Sequence, residues 1–186
     1  MEDIDIQSRA AALAELLIRN LRSDSRTLAL AESCTAGLAA DLLARVPGAS
    51  RVLWGAFVCY AGAAKLSMLG IDRNRLLRYG MVSGETVCDM ANGALEKSGA
   101  SMAAAITGLA GPDGDGSAVP VGTVWIAAAL REKGIARVEE HHFFGSRNEI
   151  RLRAAMAALE ALLEIRAIEP STGSTRVKIP LLTLTG

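Results

Sequence analysis

Thr27-Leu-Ala-Leu-Ala-Glu-Ser-Cys-Thr-Ala-Gly-Leu38 changes character at its midpoint. Residues 27–31 are small or apolar without interruption, which predicts a short buried strand, and Glu32-Ser33-Cys34-Thr35 then leads into 36–46, where Leu38, Leu42 and Val46 recur at helical spacing. A strand, a tight turn and a helix follow in succession. Pro47-Gly48 ends the helix, since proline lacks the N–H needed to continue it. Residues 52–60, rich in aromatic and β-branched side chains, predict a second buried strand. Buried strands alternating with helices predict a three-layer α/β/α domain with helices on both faces of one sheet.

The neighbouring segments fit that reading. Upstream, Ile6, Ala10, Leu13, Leu17 and Leu21 step by three and four, the spacing of an amphipathic helix over 6–21. Downstream, one short helix carries Lys65 and closes at Gly70, a second opens at Asp72 and closes at Gly80, and Ser83 caps a longer one. Strands are predicted over 101–107, 122–130 and 136–144. The last two are joined by a short turn at 131–134, which makes them antiparallel and the sheet mixed. Ser146-Arg-Asn-Glu149 has the form of a capping box, followed by a helix with Leu152, Met156, Leu159 and Leu163 on one face. One domain is expected over 1–168, followed by a tail of linker-like composition over 169–186.

Composition removes several function classes. The 20 basic and 20 acidic side chains balance among 186 residues, leaving no basic footprint for nucleic acid or anionic lipid. No apolar run approaches the ~20 residues that cross a bilayer. The acidic start, Met1-Glu-Asp-Ile-Asp5, is unlike a secretory signal, so a cytoplasmic location with Cys34, Cys59 and Cys88 as free thiols is expected.

Four places can carry chemistry. Ser33 emerges where a strand meets a helix, so helix-start N–H groups near Cys34 and Thr35 could face an oxyanion; simple capping is the plainer alternative. Lys65 sits among Gly62, Ala63 and Ala64, small residues that leave room for a partner, and as a base it would need a pKa lowered by burial. The glycine-rich run Thr107-Gly-Leu-Ala-Gly-Pro-Asp-Gly114 follows a strand, but it has neither P-loop nor dinucleotide spacing. Arg147 opens the last helix, a position at which an anion would be held by guanidinium and helix N–H groups together. Adjacent His141 and His142 point to opposite faces of a strand and the cysteines lack C-x-x-C spacing, so no metal is expected. Cys34 at a helix start is a minor thiol-nucleophile candidate.

Taken in order, Ala31-Glu-Ser-Cys-Thr-Ala-Gly37, Phe57-Val-Cys-Tyr60 with Lys65, Val82-Ser83, Thr107–Gly114, Pro120-Val-Gly-Thr-Val-Trp125 and Phe144-Gly-Ser-Arg147 resemble the CinA C-terminal domain family. That resemblance implies an amidohydrolase converting nicotinamide mononucleotide to nicotinic acid mononucleotide and ammonia in NAD salvage, with no cofactor. It implies Ser33 as nucleophile, Lys65 as its dyad partner and Tyr60 beside both, acting through an acyl-enzyme. Glu32, Cys34, Thr35, Thr107, Gly108, Gly111 and Arg147 become the substrate-binding set. As partners it implies the small-molecule substrate and a homo-oligomer, a dimer among the options. The chain departs from the family pattern at Ala36 and at Ala63-Ala64. Competing readings are a non-catalytic nucleotide-binding or competence/damage-inducible regulatory module with the same fold, and a structural oligomerisation domain.

Overall fold

The computed structural model describes residues 2–167, with side chains from residue 6 onward, so the tail expected at 169–186 lies outside the described residues. In chain order the elements are α1 (Glu2–Ser23), β1 (Leu28–Glu32), α2 (Leu38–Ala44), a 3-10 turn (Ala49–Arg51), β2 (Leu53–Val58), α3 (Gly62–Leu69), α4 (Arg73–Tyr79), α5 (Gly84–Ser98), β3 (Met102–Gly108), β4 (Thr123–Leu130), β5 (Gly134–His142) and α6 (Arg147–Arg166). The five strands form one mixed sheet in the order β2-β1-β3-β4-β5. β1 is parallel to both neighbours, whereas β3, β4 and β5 run antiparallel to one another in turn.

Side-chain alternation along β1 divides the core in two. Leu28 and Leu30 face α1, α2 and α6, while Ala29 and Ala31 face α3 and α5. The same division runs along β3, where Met102, Ala104 and Ile106 join the first cluster and Ala103 and Ala105 the second. This is the three-layer arrangement read from the sequence. Alanine on both faces of the strands, met by Ala154, Ala155, Ala158 and Ala161 of α6, lets the helices lie close to the sheet and explains a core with few aromatic residues.

The capping residues read from the sequence do their work. Asp72, Ser83 and Ser146 each accept a hydrogen bond from the N–H three residues on, and Ser146 and Glu149 complete the reciprocal box. α2 is shorter than expected, beginning at Leu38 instead of 36, because Ala36 and Gly37 take left-handed backbone angles (φ 51° and 92°). A turn replaces the first two expected helical residues.

α3 packs on α5 where Gly93 has no side chain. A Cβ there would run into the Leu69 carbonyl oxygen. Gly93→Ala should therefore cost about 1–3 kcal/mol and lower the thermal midpoint, as measured by calorimetry, by about 2–4 °C per kcal/mol. An unchanged midpoint would mean that α3 slides freely on α5.

Candidate functional site

The chain leaves β1 for β2 on one side and reaches β3 on the other, so β1 and β3 flank a crevice beyond their carboxyl ends, the place where open α/β sheets hold ligands. A cavity of about 260 Å³ lies there, lined by Ser33 and Cys34 after β1, Tyr60 after β2, Lys65 of α3, Met81 and Val82 before α5, Thr107 to Gly111 and the following acidic turn, and Arg147 of α6. A larger depression of about 920 Å³ sits near the end of α1, lined by Arg19, Arg22 and Arg51. Its arginines are exposed and it has no buried polar group, so the smaller cavity is the candidate site.

Strand alternation decides where each side chain goes. Glu32 falls on the same face as Leu28 and Leu30, which is the face of α2, and it is wholly buried. Its carboxylate accepts hydrogen bonds from the N–H groups of Gly37 (2.9 Å), Ala39 (3.2 Å) and Ala40 (2.9 Å). This geometry assigns Glu32 its partners. Glu32 does not line the cavity and caps α2, and its carboxylate takes the amides of Gly37, Ala39 and Ala40 at that helix start, while those of Cys34 and Thr35 are not among its donors. Thr35 also lies outside the cavity, buried, with a hydroxyl that finds no hydrogen-bond partner among the described residues.

Thr107 falls on the opposite face, that of α3 and α5, and there it meets Lys65. The lysine is fully buried, with Nζ 3.4 Å from Thr107 Oγ1 and 3.4 Å from Met90 Sδ. Thr107 donates its own hydroxyl proton to the Met81 carbonyl (2.7 Å), which leaves its oxygen lone pair for the lysine. Burial pushes the Lys65 pKa below the ordinary lysine value, because the ammonium has left water without gaining a carboxylate. No salt bridge to it exists among the described residues. The plain alternative of a solvated helix lysine is ruled out by its burial.

Burial also decides Cys34. Its thiol is pushed up to about 11, so the low-pKa nucleophile considered from its position near a helix start is corrected.

Arg147 closes the cavity from the other side. Its guanidinium donates to the Gly111 carbonyl and, at 2.7 Å, to the Tyr60 hydroxyl, tying α6, the glycine-rich loop and the end of β2 together. One helical turn further, Arg151 donates to the carbonyls of Cys34 (3.2 Å) and Thr35 (2.8 Å). Sequence reasoning missed Arg151, although its i, i+4 spacing from Arg147 places both on one helix face. Two of the loop glycines answer to packing: a Cβ on Gly108 would meet the Thr123 carbonyl, and one on Gly111, at φ 75°, would meet Val121.

Comparison with known proteins now places the chain. Residues 10–165 match the model of the CinA C-terminal domain. The chain belongs to the CinA C-terminal domain family. It is 44% identical over 162 residues to a CinA-like protein of Akkermansia muciniphila, covering 87% of this chain and 39% of that protein. A CinA-like protein of Thermotoga maritima is 41% identical over 150 residues, or 81% of this chain and 36% of the relative. The chain thus spans well under half the length of these relatives. Among solved structures, the competence/damage inducible protein CihA from Agrobacterium tumefaciens superposes with a TM-score of 0.81 at 37% identity, over 84% of this chain and 95% of that one. A competence-damaged protein (CinA) superfamily protein from Klebsiella pneumoniae gives 0.82 at 31% identity, over 86% and 99%.

Family and geometry together correct the expectation of an amidohydrolase. The matched family is described as the C-terminal domain of CinA, with no amidohydrolase reaction in its description, and its solved relatives above are named for competence and damage. The Ser33/Lys65 dyad is absent among the described residues: Lys65 bonds to Thr107 and Met90, no hydrogen bond joins it to Ser33, and the Tyr60 hydroxyl is held by Arg147. Nor do three His, Cys, Asp or Glu side chains gather there in a way that could hold a metal ion. No helix among them is long and apolar enough to cross a membrane.

Proposed function

We propose that this CinA C-terminal domain is a non-catalytic nucleotide-binding module whose cavity takes a mononucleotide. The observation that supports this reading is Lys65, a fully buried amine facing a cavity with no carboxylate paired to it among the described residues. An isolated buried charge is costly, and a ligand that brings a phosphate supplies the missing counter-charge. Arg147 adds a second cation, with the planar fork suited to phosphate oxygens. Met81, Val82 and Ala110 give the apolar walls on which a base can rest, and the carboxylates of Asp113 and Asp115 line the same cavity as acceptors available to ribose hydroxyls.

Titration calorimetry with adenosine monophosphate, nicotinamide mononucleotide and free phosphate tests the reading. Nucleotide binding is expected, weakened about 10- to 100-fold by Arg147→Ala through loss of a charged hydrogen bond. The affinity should fall as pH rises, because the anion favours the ammonium form of Lys65; binding then takes up protons, seen as a heat that differs between buffers of different ionisation enthalpy. Absence of nucleotide binding would overturn the proposal. Release of ammonia from nicotinamide mononucleotide by the wild-type chain would overturn its non-catalytic part.

A further inference from the structure

We propose that the arginine-lined depression beside α1 is a docking surface for a short acidic peptide segment of a partner protein, bound extended along α1. Glu15, Ile18, Arg19 and Arg22 step by three and four, so they fall on one face of the helix and make one wall. Val46, Pro47, Arg51 and Val52, from the end of α2 to the start of β2, make the other. From Glu15 to Arg22 the helix rises by about 10 Å, the length of about three residues of extended chain.

The charges of this surface are unanswered. Several arginines elsewhere are paired, Arg45 with Asp41, Arg75 with Asp89 and Arg166 with Asp24. Arg19, Arg22 and Arg51 are exposed and form no salt bridge among the described residues, and Glu15 is the single carboxylate that lines the depression with them. Three like charges thus converge on one face of a chain whose total charge is balanced, and they repel one another until an anion arrives. Arg22 is also seated by the opposite wall. Gly48, at φ 86°, has no side chain, and a Cβ there would stand 2.9 Å from Arg22 Nη1, so the guanidinium lies against the turn and bridges the two walls.

The occupant follows from charge complementarity and from what lies between the arginines. Ile18 and Val52 are buried, Val46 is half-buried and Pro47 is exposed beside them, which gives the cationic surface an apolar floor. A polyphosphate or a nucleic-acid backbone would gain nothing from that floor and would be repelled by Glu15. An extended peptide uses all of it. Its alternate side chains point opposite ways, so an apolar residue set onto the floor is flanked by acidic residues directed to the arginines, whose planar forks suit carboxylates. Glu15 is then an acceptor for a peptide N–H.

Fluorescence anisotropy tests this, with the full chain titrated into a fluorescein-labelled heptapeptide of alternating aspartate and leucine, and with circular dichroism to verify folding of each variant. Saturable binding is expected, weakening by about tenfold as salt rises from about 50 to 300 mM, because exposed charges are screened. Arg19→Glu and Arg51→Glu, each reversing a charge on an exposed side chain, should weaken it by about tenfold or more. Arg73→Glu, at another exposed arginine, should leave it unchanged. The same peptide with asparagine in place of aspartate should not bind. Absence of saturable binding up to about 1 mM, equal binding of the asparagine peptide, or affinity indifferent to both Arg19→Glu and Arg51→Glu would each overturn the proposal. Tighter binding of tripolyphosphate or single-stranded oligothymidine, lost in the same two variants, would overturn it in favour of a phosphate ligand.

Discussion

Lys65→Met should make the protein more stable and at the same time abolish the proposed nucleotide binding. The wild-type side chain keeps an amine in a place with no carboxylate, touching Thr107 Oγ1 and Met90 Sδ at 3.4 Å each. Methionine has a similar unbranched shape and no charge to desolvate. By analogy with buried ionic groups replaced by apolar ones, the gain is about 1–4 kcal/mol near neutral pH. Between 150 and 250 residues each kcal/mol shifts the thermal midpoint by about 2–4 °C.

The pH dependence separates this cause from simple repacking. The folded-state pKa of Lys65 lies below its unfolded value, so between the two the unfolded chain binds the extra proton and stability rises with pH. Below the folded value the lysine is charged in both states and its full cost is present. The advantage of Lys65→Met should therefore be greatest at low pH and shrink toward pH 10, in denaturant titrations at several pH values. A variant less stable than wild type at neutral pH would mean that the contacts with Thr107 and Met90 outweigh desolvation.

Glu32→Ala, beside the cavity, should be the most damaging single change to the turn that leads into it. Its carboxylate satisfies three amides, those of Gly37, Ala39 and Ala40, which hold both the left-handed turn and the start of α2. Truncation leaves them unpaired in a buried place at about 1–3 kcal/mol for each unsatisfied group, a loss of about 3–5 kcal/mol after partial relaxation. The thermal midpoint should fall by about 10 °C. Glu32→Gln, which retains one acceptor oxygen, should fall between Glu32→Ala and the wild type. Because the same turn carries Ser33 and Cys34 into the cavity, nucleotide affinity should weaken in the same order. Equal stability of all three proteins would show that water replaces the carboxylate.

Local patterns settled much of this before any tertiary contact was known. The caps at Asp72, Ser83 and Ser146, the helix ends at Gly70 and Gly80, and the antiparallel β4–β5 hairpin follow from short-range rules, since each depends on residues a few positions apart. The blocks around Ser33, Lys65, Thr107 and Arg147 likewise marked the residues that line one cavity, and their order along the chain marked the family. What each residue does there was decided by tertiary structure. One position of strand alternation sends Glu32 to α2 and Thr107 to Lys65, and it is the meeting of α3, α5 and β3 that removes Lys65 from water. Cys34 has a raised pKa for the same reason. Arg147 is identifiable in sequence as a cation at a helix start, but its bonds to Tyr60 and Gly111 span 87 and 36 residues. Residue type and spacing thus determined which groups are present, whereas burial and long-range pairing, which depend on how the layers stack, determined their protonation and their partners.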